Sequence, residues 1–181
     1  MSLNRRTTLQ ALAAAALARA LGHSAFAQAG GTFRIGALNP ITGAGAPYGG
    51  GMQRMIAAAV ETINAAGGVN GRRIEVFSED TQTSPQAAVL AAKKLIEVNR
   101  VRAILGTWSS GVSLAVLPLT NEADIILMNT SGAPALSVPP ANAKGLSYRF
   151  QATNDRFGRA FAEICVREGF RRAATMAFNN A

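Results

Sequence analysis

Hydroxyl side chains gather at two places where an apolar, strand-like run meets a segment of irregular or helical period. In "AILGTWSSGVSLA", residues 103–115, apolar residues lead into Gly106, and Thr107, Trp108, Ser109, Ser110 and Gly111 follow. In "NTSGAPALS", residues 129–137, Thr130, Ser131, Gly132 and Ala133 repeat the logic. A serine becomes a nucleophile only when a base takes its proton. The single histidine is His23, and no lysine lies near Ser109 or Ser110 in sequence. The G-x-S-x-G elbow is absent around them, and no Walker lysine follows Gly106. What is left is a helix start whose N–H groups and dipole favour an anion, with hydroxyls beside it that donate or accept. A carboxylate fits that seat with no catalytic partner. One serine also suits the ordinary role of helix cap; two, followed by Gly111, leave a second hydroxyl for a ligand. If neighbouring strands carry both loops, Ser110, Ser109, Thr130, Ser131 and Ala133 converge on one small polar solute. Tyr48 and Trp108 are candidate walls for it.

A rival chemistry is written elsewhere. Gly43-x-Gly45 before a helical segment is a partial dinucleotide fingerprint. Its third glycine, Gly49, comes four residues on instead of three, and the matching acid is Glu79 or Asp80. This supports an exported nucleotide-cofactor α/β enzyme as the alternative to a non-catalytic binding protein that needs no cofactor or metal. Cys165 is the only cysteine, so an internal disulfide is excluded; among Phe161, Ile164 and Val166 it reads as a core thiol.

Alternating elements must position these loops. Strand-like runs cover 32–39, 73–80, 101–106 and 124–129. Between the first two, Met52, Met55, Ile56, Ala59, Val60 and Ile63 recur at helical spacing, and Gly67 with Asn70-Gly71 ends that helix. Ser84-Pro85 starts the next as cap and first helical residue, with Val89, Ala92, Leu95 and Ile96 on its apolar face. Lys93 and Glu97 are spaced to pair on its wet face. Val112, Ala115, Val116 and Leu119 mark a third helix, bent near Pro118. Residues 135–145 read as a surface loop. "SYRFQAT" and "RAATMAF" are strand-like and flank a helix marked by Phe157, Phe161, Ile164 and Cys165. The pattern predicts an α/β fold with a parallel sheet and helices on both faces. Ligand loops in such a sheet lie past the carboxyl ends of the strands. A sheet cut after 172–178 would leave an open edge, so 148–181 reads as the start of a second domain and the chain as an N-terminal fragment.

The bulk numbers set limits. The 181 residues are 49% hydrophobic and carry a formal net charge of +8. Residues 1–27 read as an export signal: a basic start, the apolar run "LQALAAAALA", too short to span a bilayer, and Ala25-Phe26-Ala27 before the cut. Asn4-Arg5-Arg6-Thr7-Thr8-Leu9 resembles a twin-arginine signal except at Thr8, so the twin-arginine and ordinary secretory routes both stand. Without this segment the charge is about +5, spread along the chain, which argues against nucleic acid as a partner.

Several stretches recur in order as they do in one family: "RIGALNPITGAGAPYGGGM", "INAAGGVNGRRIEV", "ED" followed by "SPQAAVLAAKKLI", "VRAILG" with its Ser-rich loop, "ILMNTSGAPAL" and "YRFQATNDRFGRAFAE". From about Phe33 to the last residue the chain resembles the periplasmic binding proteins of the leucine/isoleucine/valine type. The resemblance implies a type 1 periplasmic-binding-protein fold, two α/β lobes joined by three crossovers that close on a ligand. It divides the chain into a signal (1–27), a first lobe (28–147) and the start of a second (148–181). It implies capture of a branched-chain amino acid, amide, urea or aromatic acid for the membrane permease and ATPase of an ABC importer in the periplasm. A ligand-sensing receptor module of the same fold is a further reading. In the amino-acid binders a serine after the third strand holds the ligand carboxylate, a position that matches Ser110, with Ser109 beside it. The loop after the fourth strand supplies a backbone carbonyl, matched by Ala133, and a hydroxyl–amide pair. That pair falls on Pro134, which has neither group; Thr130 or Ser131 would have to serve instead. The acid for a ligand ammonium belongs to the second lobe.

Overall fold

Five strands form one wholly parallel sheet in the computed structural model, which describes residues 31–176. The expected signal, with His23, lies outside those residues. In chain order the elements are β1 (Phe33–Asn39), α1 (Ala46–Ala65), β2 (Ile74–Asp80), α2 (Pro85–Lys93), β3 (Ala103–Gly106), α3 (Ser110–Glu122), β4 (Ile126–Asn129), β5 (Ser147–Arg149) and α4 (Asn154–Arg167). The sheet order is β2-β1-β3-β4-β5. Parallel pairing puts every carboxyl end at one rim, where Asn39, Asp80, Gly106 and Asn129 sit. The predicted α/β class and the first four strands are all present, with β3 and β4 each two residues shorter at their starts.

The two faces of the sheet are packed differently. Leu38, Ile104 and Leu127 point to one face and meet Ala88, Ala92 and Leu95 from the α2 side and Val112, Val116 and Leu117 of α3. A Cβ on Gly36 would lie 2.9 Å from Leu95, so α2 approaches closest where β1 has no side chain. Ser84 caps α2 as expected, accepting from the Ala87 amide at 3.4 Å. Beyond Lys93 the helix widens into a π turn, Lys94–Val98. On it Lys94 reaches Glu79 at 2.6 Å, a longer-range ion pair than the Lys93–Glu97 pairing the spacing suggested. Pro118 is accommodated inside α3.

The other face carries α1, and coverage there is thin. Only Gly49 of α1 is buried, while Met55 and Ile63 of the expected apolar stripe are exposed. A groove of about 620 Å³ separates the helix from β2, lined by Ile56, Val60, Asn64, Val76 and others. It lies along α1, away from the strand-end loops.

Three expectations past residue 130 change. The segment 135–145 is more than a surface loop. It begins with a short 3₁₀ turn, Pro134–Ser137, whose Leu136 is fully buried, and Asn142 is buried too, bonded to the backbone of Ser147. The strand in "SYRFQAT" pairs with β4 in the same sheet, so a boundary before residue 148 falls inside β5. Of the strand expected over 172–178, residues 172–176 form none, and the last two lie outside the described residues. Helix α4 forms as expected but buries no residue, and its Phe157, Phe161 and Ile164 are exposed. Cys165 is half-buried on this helix. No helix among the described residues is long and apolar enough to cross a membrane.

Leu95 is fully buried whereas Leu90, on the outer side of the same helix, is 69% exposed. Leu95→Ala should lower unfolding free energy by about 2–5 kcal/mol and Leu90→Ala by less than about 0.5 kcal/mol, read from denaturant midpoints at constant m-value.

Candidate functional site

The end of β3 makes an abrupt turn. Gly106 has φ +122°, and a Cβ there would lie 2.3 Å from the Leu38 carbonyl oxygen. Thr107 follows at φ +60°, costly for a β-branched residue. Its amide donates to the Leu38 carbonyl at 2.7 Å, which holds the kink against β1. The chain then enters α3 with Ser109 as the capping residue and Ser110 as the first helical one.

A buried knot of hydroxyls joins this turn to the loop after β4. Ser113 Oγ lies 2.7 Å from Thr107 Oγ1 and 3.0 Å from the Ser109 carbonyl, and it also bonds Ser131 Oγ. Ser131 Oγ sits 3.2 Å from both the Thr107 and Trp108 carbonyls, and the Ser131 amide donates to Asn129 Oδ1 at 3.1 Å. Thr107, Ser113, Ser131 and Asn129 are fully buried. Ser131, expected as a ligand contact, is turned inward to tie the two loops together.

Ser110 stands differently. Its Oγ accepts from the Ala133 amide at 3.2 Å, so a backbone donor orients the oxygen while the hydroxyl proton is left for an acceptor elsewhere. The Ala133 carbonyl accepts from Leu136 N at 3.2 Å and from Arg149 Nη1 at 2.9 Å. The Thr130 hydroxyl oxygen is buried with no partner among the described residues. Ser109 is nearly buried. Tyr48 and Trp108 do come together, ring centroids 4.8 Å apart and planes 24° from parallel, with Tyr48 half exposed. The two loops and the aromatic pair therefore meet at one rim of the sheet, as their chain positions suggested.

The glycines and acids of the partial dinucleotide pattern have other partners. Gly43 and Gly49 pack against backbone, where a Cβ would lie 2.2 Å from the Gln82 carbonyl oxygen and 2.0 Å from that of Pro40. Glu79 pairs with Lys94. Asp80 accepts from the Ile41 amide at 2.8 Å, the Thr42 amide at 3.1 Å, the Thr42 hydroxyl at 2.6 Å and the Gln82 amide at 2.8 Å. Burial alone would push its carboxyl up, but the Thr42 hydroxyl and these three amides outweigh that and hold it below the usual aspartate value. The carboxylate organises the loop that carries Pro40 into α1 and so sets the place of Tyr48.

Sequence reasoning missed four participants: Arg149, Ser113, Asn129 and Asn39. Asn39 is fully buried at the end of β1, and both its amide atoms lack a partner among the described residues. A signal existed for the asparagines, since each ends an apolar strand, in "GALN" and "ILMN". No group of three or more His, Cys, Asp or Glu among the described residues is placed to hold a metal.

The family model described as "Periplasmic binding protein" matches residues 32–181. The chain belongs to that family. The chain is 33% identical over 117 residues to an amino acid binding protein of Pseudomonas aeruginosa, covering 65% of this chain and 30% of that one. It is 34% identical over 140 residues to Leu/Ile/Val-binding protein homolog 8 of Brucella suis, covering 77% and 34%. Among solved structures it resembles the branched-chain amino acid transporter substrate-binding protein of Streptococcus pneumoniae in complex with isoleucine. That match has a TM-score of 0.60 and 26% identity, covering 67% of this chain and 34% of that one. The chain thus spans about a third of the length of the relatives it matches. The type 1 periplasmic-binding-protein fold expected from the sequence is the fold of these structural neighbours.

Two outcomes test the rim. Gly106→Ala should destabilise the protein by at least about 2 kcal/mol, because strain at φ > 0 adds to a backbone clash. Asp80→Asn should destabilise at neutral pH. A carboxyl whose folded pKa is depressed gives stability above its unfolded value, near pH 4, that is lost as pH falls through the folded one. The difference between Asp80→Asn and wild type in denaturant unfolding should therefore shrink as pH drops below about 4.

Proposed function

We propose that this chain supplies the first ligand-holding lobe of an extracytoplasmic, non-catalytic solute-binding protein that serves an ABC importer. The observation that carries this reading is Ser110. Its oxygen is oriented by the Ala133 amide at the N-terminus of α3, and its proton points the site toward an acceptor such as a carboxylate. Ser109, Thr130, Ala133, Tyr48 and Trp108 surround the same rim, whereas Ser131 supports it from beneath.

In this reading residues 1–27 direct export to the periplasm and are removed. The first lobe runs through β5, and the second begins near α4, whose exposed Phe157, Phe161 and Ile164 await packing there. The solute is an amino acid or a related small acid or amide, and a membrane permease receives it. The Leu/Ile/Val-binding relative and the isoleucine-bound transporter protein support this class. No lysine or histidine stands near Ser109 and Ser110 in the sequence, which, with the other duties of Glu79 and Asp80, favours binding over the nucleotide-dependent enzyme.

A thermal-shift screen of the full-length protein against amino acids, amides and aromatic acids should find at least one saturable solute. Ser110→Ala should then weaken that solute by about 1–3 kcal/mol in calorimetry, the cost of leaving a buried ligand group unpaired. A change below about 0.3 kcal/mol would make Ser110 only a helix-start residue.

A further inference from the structure

We infer that the Gly132–Ala133 peptide is a lever joining the solute seat to α4, with Asn154 and Arg149 as the residues that position it; this rests on the solute-binding reading above. A peptide group is planar and rigid, so its two ends move together. Here the Ala133 N–H goes to the Ser110 hydroxyl oxygen at 3.2 Å. The Gly132 C=O of the same peptide accepts from the Asn154 amide at 2.8 Å. Asn154 is the first residue of α4, and its amide has no acceptor within the helix. One rigid plane therefore has the proposed solute residue at one end and the base of a helix at the other. Gly132 shows how closely that base is seated. It does not take the left-handed φ found at Gly106, so backbone conformation does not call for glycine. Space does: Gly132 is buried, and a Cβ on it would run into the Asn154 carboxamide.

The chain leading into α4 is fastened to the same loop. Phe150 N donates to the Asn129 carbonyl at 3.1 Å. Arg149 Nη1 donates to the Ala133 carbonyl at 2.9 Å and Arg149 Nε to the Gln151 carbonyl at 3.1 Å, so one guanidinium ties the loop to the crossover. Residues 150–153 run between these ties and form neither helix nor strand. Packing among the described residues does not fix α4, which buries no residue and leaves Phe157, Phe161 and Ile164 exposed. A cavity of about 350 Å³ beside the joint, lined by Pro134, Val138, Arg149, Thr153 and Arg156 among others, gives the helix base room to turn. A hinge needs only a few loop or helix-end residues to absorb its motion. A solute that draws the Ser110 hydroxyl toward itself tilts the peptide, and α4 follows.

The test uses the full-length protein with spin labels at Leu90→Cys and Glu163→Cys in a Cys165→Ser background, both labelled positions being exposed. The probes are the protein amino acids, acetamide and benzoate, and the tightest binder by calorimetry is carried forward. Its binding should change the distance between the labels. Gly132→Ala turns the Asn154 carboxamide aside, and Asn154→Ala removes it; either leaves α4 on a single backbone bond. Each should abolish the distance change and weaken the probe by at least about 5-fold, the scale of an ordinary coupling between two sites. The two together should restore both readouts, with affinity within about 2-fold of wild type, because the methyl introduced at 132 takes the place of the carboxamide. Arg149→Met should also abolish the distance change, and Arg149→Lys should keep part of it. If Gly132→Ala fails to fold, Asn154→Ala and the Arg149 pair decide. A distance change that survives in Asn154→Ala and Arg149→Met overturns the inference and leaves the solute-binding reading standing. So does a probe that binds the wild type without moving the labels, or a double variant no better than its singles. No saturable binding of any probe overturns both the inference and the reading on which it rests.

Discussion

The kink at Gly106–Thr107 is the constraint on which the rest of the rim depends. It turns the chain off β3 so sharply that only glycine fits against the Leu38 carbonyl, and it leaves a threonine at positive φ. Such strain persists only where the surroundings over-determine it. Here they do, because the Thr107 hydroxyl, Ser113 and Ser131 form a closed hydroxyl cluster beneath the turn. That cluster fixes the start of α3 and the loop after β4 as one body. Ser110 and Ala133 can then face each other at hydrogen-bond distance, and the carbonyl of Ala133 is presented to Arg149. Geometry at the rim is thus set from below, by groups that never touch solvent.

Much of the fold was legible because local rules and tertiary packing agree. The Ser84-Pro85 start of α2, the apolar runs of β1 to β4 and the glycine stops all mean in the structure what they mean in isolation. Where reading failed, the missing quantity was three-dimensional. β5 is only three residues long and depends on β4 for its existence, so its sequence could not say to which sheet it belongs. Segment 135–145 has no period, yet Leu136 and Asn142 are held in the body of the domain. Cys165 sits on an apolar stripe that no element covers within the described residues, so its depth is not set by periodicity alone.

The site was half legible for a related reason. Residue type told that hydroxyls and small residues fill the strand-end loops, but not which hydroxyl points where. Ser110 and Ser131 look alike in sequence and have opposite fates, one at the rim and one in the knot. Arg149 was invisible because its role depends on β5 being the neighbour of β4, which brings it to the Ala133 carbonyl 16 residues away. An arginine in a polar stretch gives no sign of that. The aromatic pair was legible as composition, and became a stacked pair only once the Asp80-anchored loop carried Tyr48 to Trp108.

The order of the strands also governs how such a chain comes into being. β1 is made first, is almost wholly apolar at its carboxyl half, and finds β2 about 40 residues later and β3 about 70 residues later, as the pairings Phe33–Ile74 and Ile35–Ala103 record. Parallel pairing cannot use a short hairpin, so each step waits for a helix to be synthesised and the loop entropy to be overcome. As the chain leaves the ribosome, β1 is a bare adhesive strand through much of its synthesis. Its safety during that interval rests on chaperones or on rapid cover by α1, a helix that offers little buried surface of its own.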